Sequence, residues 1–179
     1  MDLRKKKTLR AISQAFCTLR KQKKLEAITV TELCAQAEIS KATFYLHYRD
    51  IFDLSMKLQQ EVIQRVFSRI ENPMVVLTDS MEFMTQIVYS FESEKEWMSS
   101  LFSDSQAAEI PIKIESYLKE YIFAQAPHLK DDAKTNIYLS YHIQGSYYAY
   151  LENEQHWGYS QVVKTISEIQ GTQSPLANK

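Results

Sequence analysis

Scarce glycine and proline, apolar residues at helical spacing, and N-cap and proline signals along the whole chain predict an all-α protein of about nine helices. Three Gly and four Pro among 179 residues come to about 4%, against roughly 12% in average usage. That is too few for the turns of a β-rich or low-complexity chain. The glycines stand alone at Gly145, Gly158 and Gly171, so no glycine-rich phosphate loop exists and Rossmann and P-loop enzymes are excluded. Apolar runs such as Met74 to Leu77 fall far short of the roughly 18 residues needed to cross a bilayer. The basic cluster Arg4-Lys5-Lys6-Lys7 leads into no signal-peptide h-region, which predicts a cytoplasmic chain.

The first helix is expected from Leu3 to Lys21, with Leu9, Ile12, Phe16 and Leu19 in one stripe and Ala11 and Ala15 alongside. Thr29 and Glu32 have capping-box spacing, in which the Thr oxygen accepts a free backbone N–H and the Glu carboxylate reaches back. They open a short helix, about Val30 to Ala37, that buries Leu33, Cys34 and Ala37. Ser40 is the N-cap of a third helix, Lys41 to about His47. Asp50, with Asp53 three residues on, opens a fourth, whose Leu54, Leu58, Val62 and Val66 keep helical spacing until Asn72-Pro73 ends it. Five more helices follow near Asp79 to Phe91, Lys95 to Ser103, Ile112 to Gln125, Asp131 to Glu154 and Ser160 to Gln170, with breaks at Pro111, Pro127 and Gly158. The expected organisation is a domain over 1–50, a connecting helix over 51–71 and a helical domain over 72–179.

Charge divides the chain unevenly. Residues 1–50 hold eleven Lys and Arg against five acids, net +6, and the other 129 residues hold ten against seventeen, net −7. Such a division directs the first segment towards a polyanion. Two short helices joined by a three-residue turn and preceded by a supporting helix form a helix-turn-helix, whose second helix enters a DNA major groove. With Phe44 facing inward, about 100° per residue turns Tyr48 inward, Thr43 and Tyr45 to the flanks, and Ala42 and Leu46 outward. Leu46 and Ala42 then suit thymine methyls, Thr43 and Lys41 suit base edges, and Tyr45 and His47 suit phosphate oxygens.

The stretch Ile28 to Leu54, above all Ser40 to Tyr48, resembles the DNA-binding signature of the TetR/AcrR transcriptional regulators. The resemblance implies an all-α homodimer that binds a palindromic operator through its N-terminal domains, dimerises through its C-terminal domain and usually holds an effector there. By position it implies backbone contacts for Thr29, Thr31, Tyr45 and His47 and base reading for Lys41, Ala42 and Thr43. Two positions depart from the family pattern. Glu38 replaces the usual turn glycine, which implies either a cost of up to about 1 kcal/mol or a different turn. Ile51 replaces a common phosphate-binding lysine, leaving Arg49 as its substitute.

In the C-terminal half, the helix near Asp131 to Glu154 is apolar almost all round, with Ile137, Tyr138, Leu139, Tyr141, Ile143, Tyr147, Tyr148, Tyr150 and Leu151. A helix without a polar face needs cover on two sides, and a second subunit supplies it in the expected dimer, with Tyr147, Tyr150, Val162, Ile166 and Ile169 at the interface. Gly145 within that helix is expected to allow close helix approach. Aromatic and methionine side chains suit an adaptable small-molecule cavity, with Phe83, Ile87, Phe91, Met98, Phe102, Tyr117, Tyr121, Tyr138, Tyr141 and His142 as candidate lining. His142 also reads as a core or interface histidine.

Cys17 and Cys34 match neither a redox pair nor a zinc ligand set and read as reduced thiols. The four histidines have no metal-ligand spacing, and no catalytic motif occurs, so no metal, cofactor or enzymatic activity is expected. The expected function is sequence-specific regulation of transcription, by a repressor that a small molecule releases. A TetR-like activator and a helical adaptor that never meets DNA are the alternatives.

Overall fold

The computed structural model describes residues 3–171, so the last eight positions of the 72–179 segment lie outside the described residues. The fold is all-α. Among the described residues there are nine α-helices: α1 (Leu3–Arg20), α2 (Val30–Gln36), α3 (Lys41–Tyr45), α4 (Ile51–Phe67), α5 (Ser80–Ser93), α6 (Lys95–Leu101), α7 (Glu109–Gln125), α8 (Ala133–Trp157) and α9 (Tyr159–Gly171). None of them is long and apolar enough to cross a membrane. Short 3-10 turns occupy Leu25–Ala27, Pro73–Leu77, Asp104–Ala108 and Pro127–Leu129.

The chain packs as two compact units, 1–62 with 94–107 and 63–93 with 108–179. The division falls inside α4, and α6 joins the N-terminal helices even though it is far from them in sequence. Arg20 and Gln59 show why. Arg20 is 4% exposed and donates through Nη1 to the Lys23 carbonyl at 2.9 Å and through Nη2 to the Ser103 hydroxyl and carbonyl. Asp104 faces it at 3.7 Å. Gln59 Nε2 donates to the Leu101 carbonyl at 3.0 Å and to Gln106 at 3.1 Å. Arg20 is therefore a structural cation, and one of the eleven bases of the N-terminal segment is withdrawn from its surface.

Two helix boundaries differ from the sequence reading. Helix α4 stops at Phe67, well before Asn72-Pro73, where Arg69 and Ile70 N–H groups bond three residues back to Val66 and Phe67. This tighter turn lets Ile70, Pro73, Val76 and Leu77 all reach the core. Pro111, expected at a break, lies in the first turn of α7. A proline is tolerated there because the first N–H groups of a helix have no intrahelical partner in any case.

The α2–α3 turn resolves the question posed by Glu38. Its φ is +54°, so the left-handed turn forms without glycine. The Glu38 N–H bonds to the Ala35 carbonyl and the Ile39 N–H to the Cys34 carbonyl, the paired bonds of a Schellman ending that satisfy the last carbonyls of α2. Glu38→Gly should therefore raise the unfolding free energy by up to about 1 kcal/mol, since a non-glycine residue is strained in this region. Urea titration checks it, and an unchanged or lower midpoint would mean that no strain resides at Glu38.

Candidate nucleic-acid interface

Helix α3 is five residues long and is fixed from three directions. At its start Ser40 Oγ accepts the Thr43 N–H at 3.0 Å. Beneath it Phe44 is fully buried and Tyr48 is 6% exposed, as the helical wheel predicts. At its end Lys57 on α4 reaches the His47 carbonyl at 3.3 Å and the Asp53 carboxylate at 2.9 Å, with its ammonium 5.2 Å from the centre of the Tyr48 ring. The outward face then carries Lys41, Ala42, Tyr45 and Leu46, all exposed, with Thr43 and His47 half-buried at its flanks. Leu46 is 79% exposed.

Thr29 and Thr31 lie exposed at the start of α2. Thr29 Oγ1 accepts the Glu32 N–H at 3.2 Å, which is half of the expected capping box. The other half is replaced, because the Glu32 carboxylate takes Lys23 Nζ at 2.5 Å. Arg49 is exposed and its guanidinium pairs with Asp53 at 3.3 Å. It presents a cation beside α3 while tethered at its base.

Asp53 is the residue that the sequence reading underused. Its position in the sequence marks only a helix opening, yet its carboxylate also accepts the Arg49 N–H at 3.0 Å and binds Lys57, while its own N–H is capped by Asp50 at 2.7 Å. The i, i+4 spacing of Arg49, Asp53 and Lys57 was the available signal. The Arg49 backbone N–H, and next Lys57, hold the carboxyl at about 2, below its ordinary 3.8 and against the opposing effect of desolvation. Burial chiefly, and then the charges of Glu61 and Asp53, push the Tyr48 phenol up to about 12.

Neither cysteine is in a disulfide, Cys34 being buried and Cys17 half-buried, and desolvation raises the Cys34 thiol while the Lys41 charge opposes it.

The candidate cavity residues belong to two units. Met98 and Phe102 are buried in the unit that contains α1–α3, whereas Phe83, Ile87, Phe91, Tyr117, Tyr121, Tyr138, Tyr141 and His142 belong to the other. Within that second unit the His142 ring lies 4.1 Å from Tyr138 and 5.2 Å from Tyr141, centre to centre, and Tyr117 stacks on Phe67 at 4.4 Å. Tyr138 donates to the Val76 carbonyl, and burial lowers the His142 pKa, favouring its neutral form. Tyr141 faces outward, 64% exposed. A polar cluster not expected from sequence ties α7 to α8. In it Glu115 accepts from Lys119, Ser140 and Gln144. Burial raises the Glu115 carboxyl, but these hydrogen bonds outweigh it and hold the group below the usual range.

Of the expected interface residues, Val162 and Ile166 are buried within their own unit, where α9 packs on α5 and α8. Tyr147 and Tyr150 are half-buried and Ile169 is 56% exposed. The large apolar side chains left open on α8 are Ile137, Tyr141, Tyr148 and Leu151, which fall within one sector of the helix, and Trp157 at its end, which lies outside that sector. Gly145 is exposed beside that sector, and a Cβ there would meet nothing within 4 Å, so no close approach inside the chain requires it.

No family model, curated protein or solved structure matches the chain.

The depressed pKa of Asp53 gives a pH prediction. A group whose folded pKa lies below its unfolded value stabilises the fold above the unfolded pKa and loses that contribution as pH falls through the folded one. Wild-type stability should thus include a loss between about pH 4 and about pH 2 that Asp53→Asn lacks. Denaturant midpoints measured across that range check it, and the same pH profile in both proteins would contradict the role given to the carboxylate.

Proposed function

We propose that the chain is a sequence-specific DNA-binding regulator of transcription, acting as a homodimer on an inverted-repeat operator, and that it is not an enzyme. The observation that carries this reading is the outward face of α3, where Lys41, Ala42, Tyr45 and Leu46 are exposed on a helix capped and packed from behind. A free-standing Leu46 at 79% exposure suits a major groove, where thymine methyls offer an apolar partner. The resemblance of Ile28 to Leu54 to the TetR/AcrR signature supports the same reading. It also favours repression relieved by a small molecule, with the aromatic side chains around Tyr138 and His142 as the region to search for that effector.

The open sector Ile137, Tyr141, Tyr148 and Leu151 supports self-association through α8, with Gly145 allowing the second copy to approach. A twofold axis would place two α3 helices about 34–36 Å apart, or a multiple of that spacing. Interface duty then rests more on α8 than on Val162 and Ile166, which their own unit already covers.

Two measurements test this reading. Gel shifts on DNA from the chain's own upstream region should show binding that weakens with salt, at a log–log slope of about −0.9 per phosphate neutralised. Arg49→Ala should weaken binding to every sequence alike and reduce the slope by about one phosphate's worth; an unchanged slope would remove Arg49 from the contacts, and no binding at any salt would refute the function. Light scattering should give twice 20.9 kDa for the wild type and a monomer for Tyr141→Glu with its helix content retained, because a charge buried in an apolar interface is costly. A wild-type mass near 20.9 kDa would refute the dimer.

A further inference from the structure

The sector of α8 that its own unit leaves open is nearly symmetric about its middle. Ile137 and Leu151 stand seven residues to either side of Gln144, and Tyr141 and Tyr148 flank the Gln144–Gly145 peptide at equal spacing. All four are at least 47% exposed. Between them Gln144 is half-buried and donates its amide to Glu115 of its own chain at 2.7 Å, and Gly145 adds no side chain, so little rises at the centre. One edge of the sector carries opposite charges at its two ends, Lys134 and Glu152, both exposed. They are eighteen residues apart, five full helical turns, and so share one angle on the helix.

A surface symmetric in this way fits a second copy of itself. In a twofold contact each residue pairing occurs twice, with the two copies exchanged, and two arrangements of α8 satisfy this. With the helices parallel every residue meets itself, so Lys134 faces the partner's Lys134 and Glu152 faces the partner's Glu152. With the helices antiparallel across an axis at the Gln144–Gly145 peptide, Tyr141 is level with the partner's Tyr148, and Ile137 falls within one residue of the partner's Leu151. Lys134 then comes within one turn of Glu152 of the partner subunit. Opposite charges and opposed helix dipoles both favour the second arrangement, and like charges oppose the first.

We infer that two copies of the chain pair through antiparallel α8 helices, on a twofold axis beside the Gln144–Gly145 peptide. This rests on the homodimer proposed above and adds its orientation, axis and register; it does not depend on DNA binding.

Disulfide mapping of the full chain tests it. In the antiparallel dimer the two copies of position 145 lie beside the axis, whereas the two copies of position 137 are about 22 Å apart along the helices, beyond the roughly 7 Å between Cα atoms that a disulfide spans. A Cβ at Gly145 meets nothing within 4 Å of its own chain, so the fold tolerates Gly145→Cys. Under mild oxidation that variant should form a bridge between its two introduced thiols, identified by peptide mass against the wild type, whose Cys17 and Cys34 set the background. Ile137→Cys should form none. Lys134→Glu and Glu152→Lys should each weaken dimerisation about fivefold, because symmetry places the pair twice in the dimer, and the two together should restore it. A bridge in Ile137→Cys would mean parallel helices. A dimer with no bridge in Gly145→Cys would place the axis elsewhere, and charge reversals that add instead of cancelling would remove the Lys134–Glu152 pairing. Each of these overturns the inference and leaves the dimer standing. A wild-type mass of 20.9 kDa overturns the dimer reading, and this inference with it.

Discussion

A helix of five residues has no stability of its own in water, because nucleating the first turn costs more than so few hydrogen bonds return. Everything proposed for α3 therefore depends on the burial of Phe44 beneath it. A fully buried aromatic side chain contributes about 1.5–3 kcal/mol, comparable with the whole ordering cost of one or two residues. Ser40 at one end and the Asp53–Lys57 pair at the other turn that anchor into a fixed orientation. Lys57 is central at the second end: one ammonium bonds the His47 carbonyl, the Asp53 carboxylate and the face of Tyr48. Because these groups hold the helix from behind and from its ends, its outward face can consist of side chains that the fold does not need.

What could be read from the sequence follows from what each signal measures. Periodicity reports burial, so the stripe of α1 and the inward Phe44 and Tyr48 were legible, as were the Thr29 and Ser40 helix starts, where local side chains accept backbone N–H groups. Proline was read too simply. Its ring forbids a helix interior but suits a first turn, so Pro111 lies inside α7. Helix α4 ends before the Asn72-Pro73 signal because the chain turns to bring Ile70 and Val76 into the core, a tertiary demand that no local residue announces.

The long-range polar contacts were the least legible. Arg20 counted as one of many N-terminal bases, yet it is buried against the α6 segment some eighty residues away in sequence. Glu115, which collects three donors from α7 and α8, likewise had no pattern to reveal it. In α8 the apolar residues cover every sector of the wheel, so sequence alone could not say which sector faces its own unit. Tyr138, Leu139, His142 and Ile143 do, while Ile137, Tyr141, Tyr148 and Leu151 remain open. The stripe of α9 showed the opposite ambiguity, its Val162 and Ile166 serving the chain's own core.

The central claim is that the exposed face of α3 is where DNA sits. Hydrogen–deuterium exchange of the full chain, with and without a DNA duplex it has selected, tests this most directly because it locates the contact without altering any residue. Protection should concentrate at the start of α2 and across 40–49, around Ser40, Thr43 and Arg49. Protection confined to other helices, with 40–49 exchanging as in the free protein while DNA is bound, would contradict it.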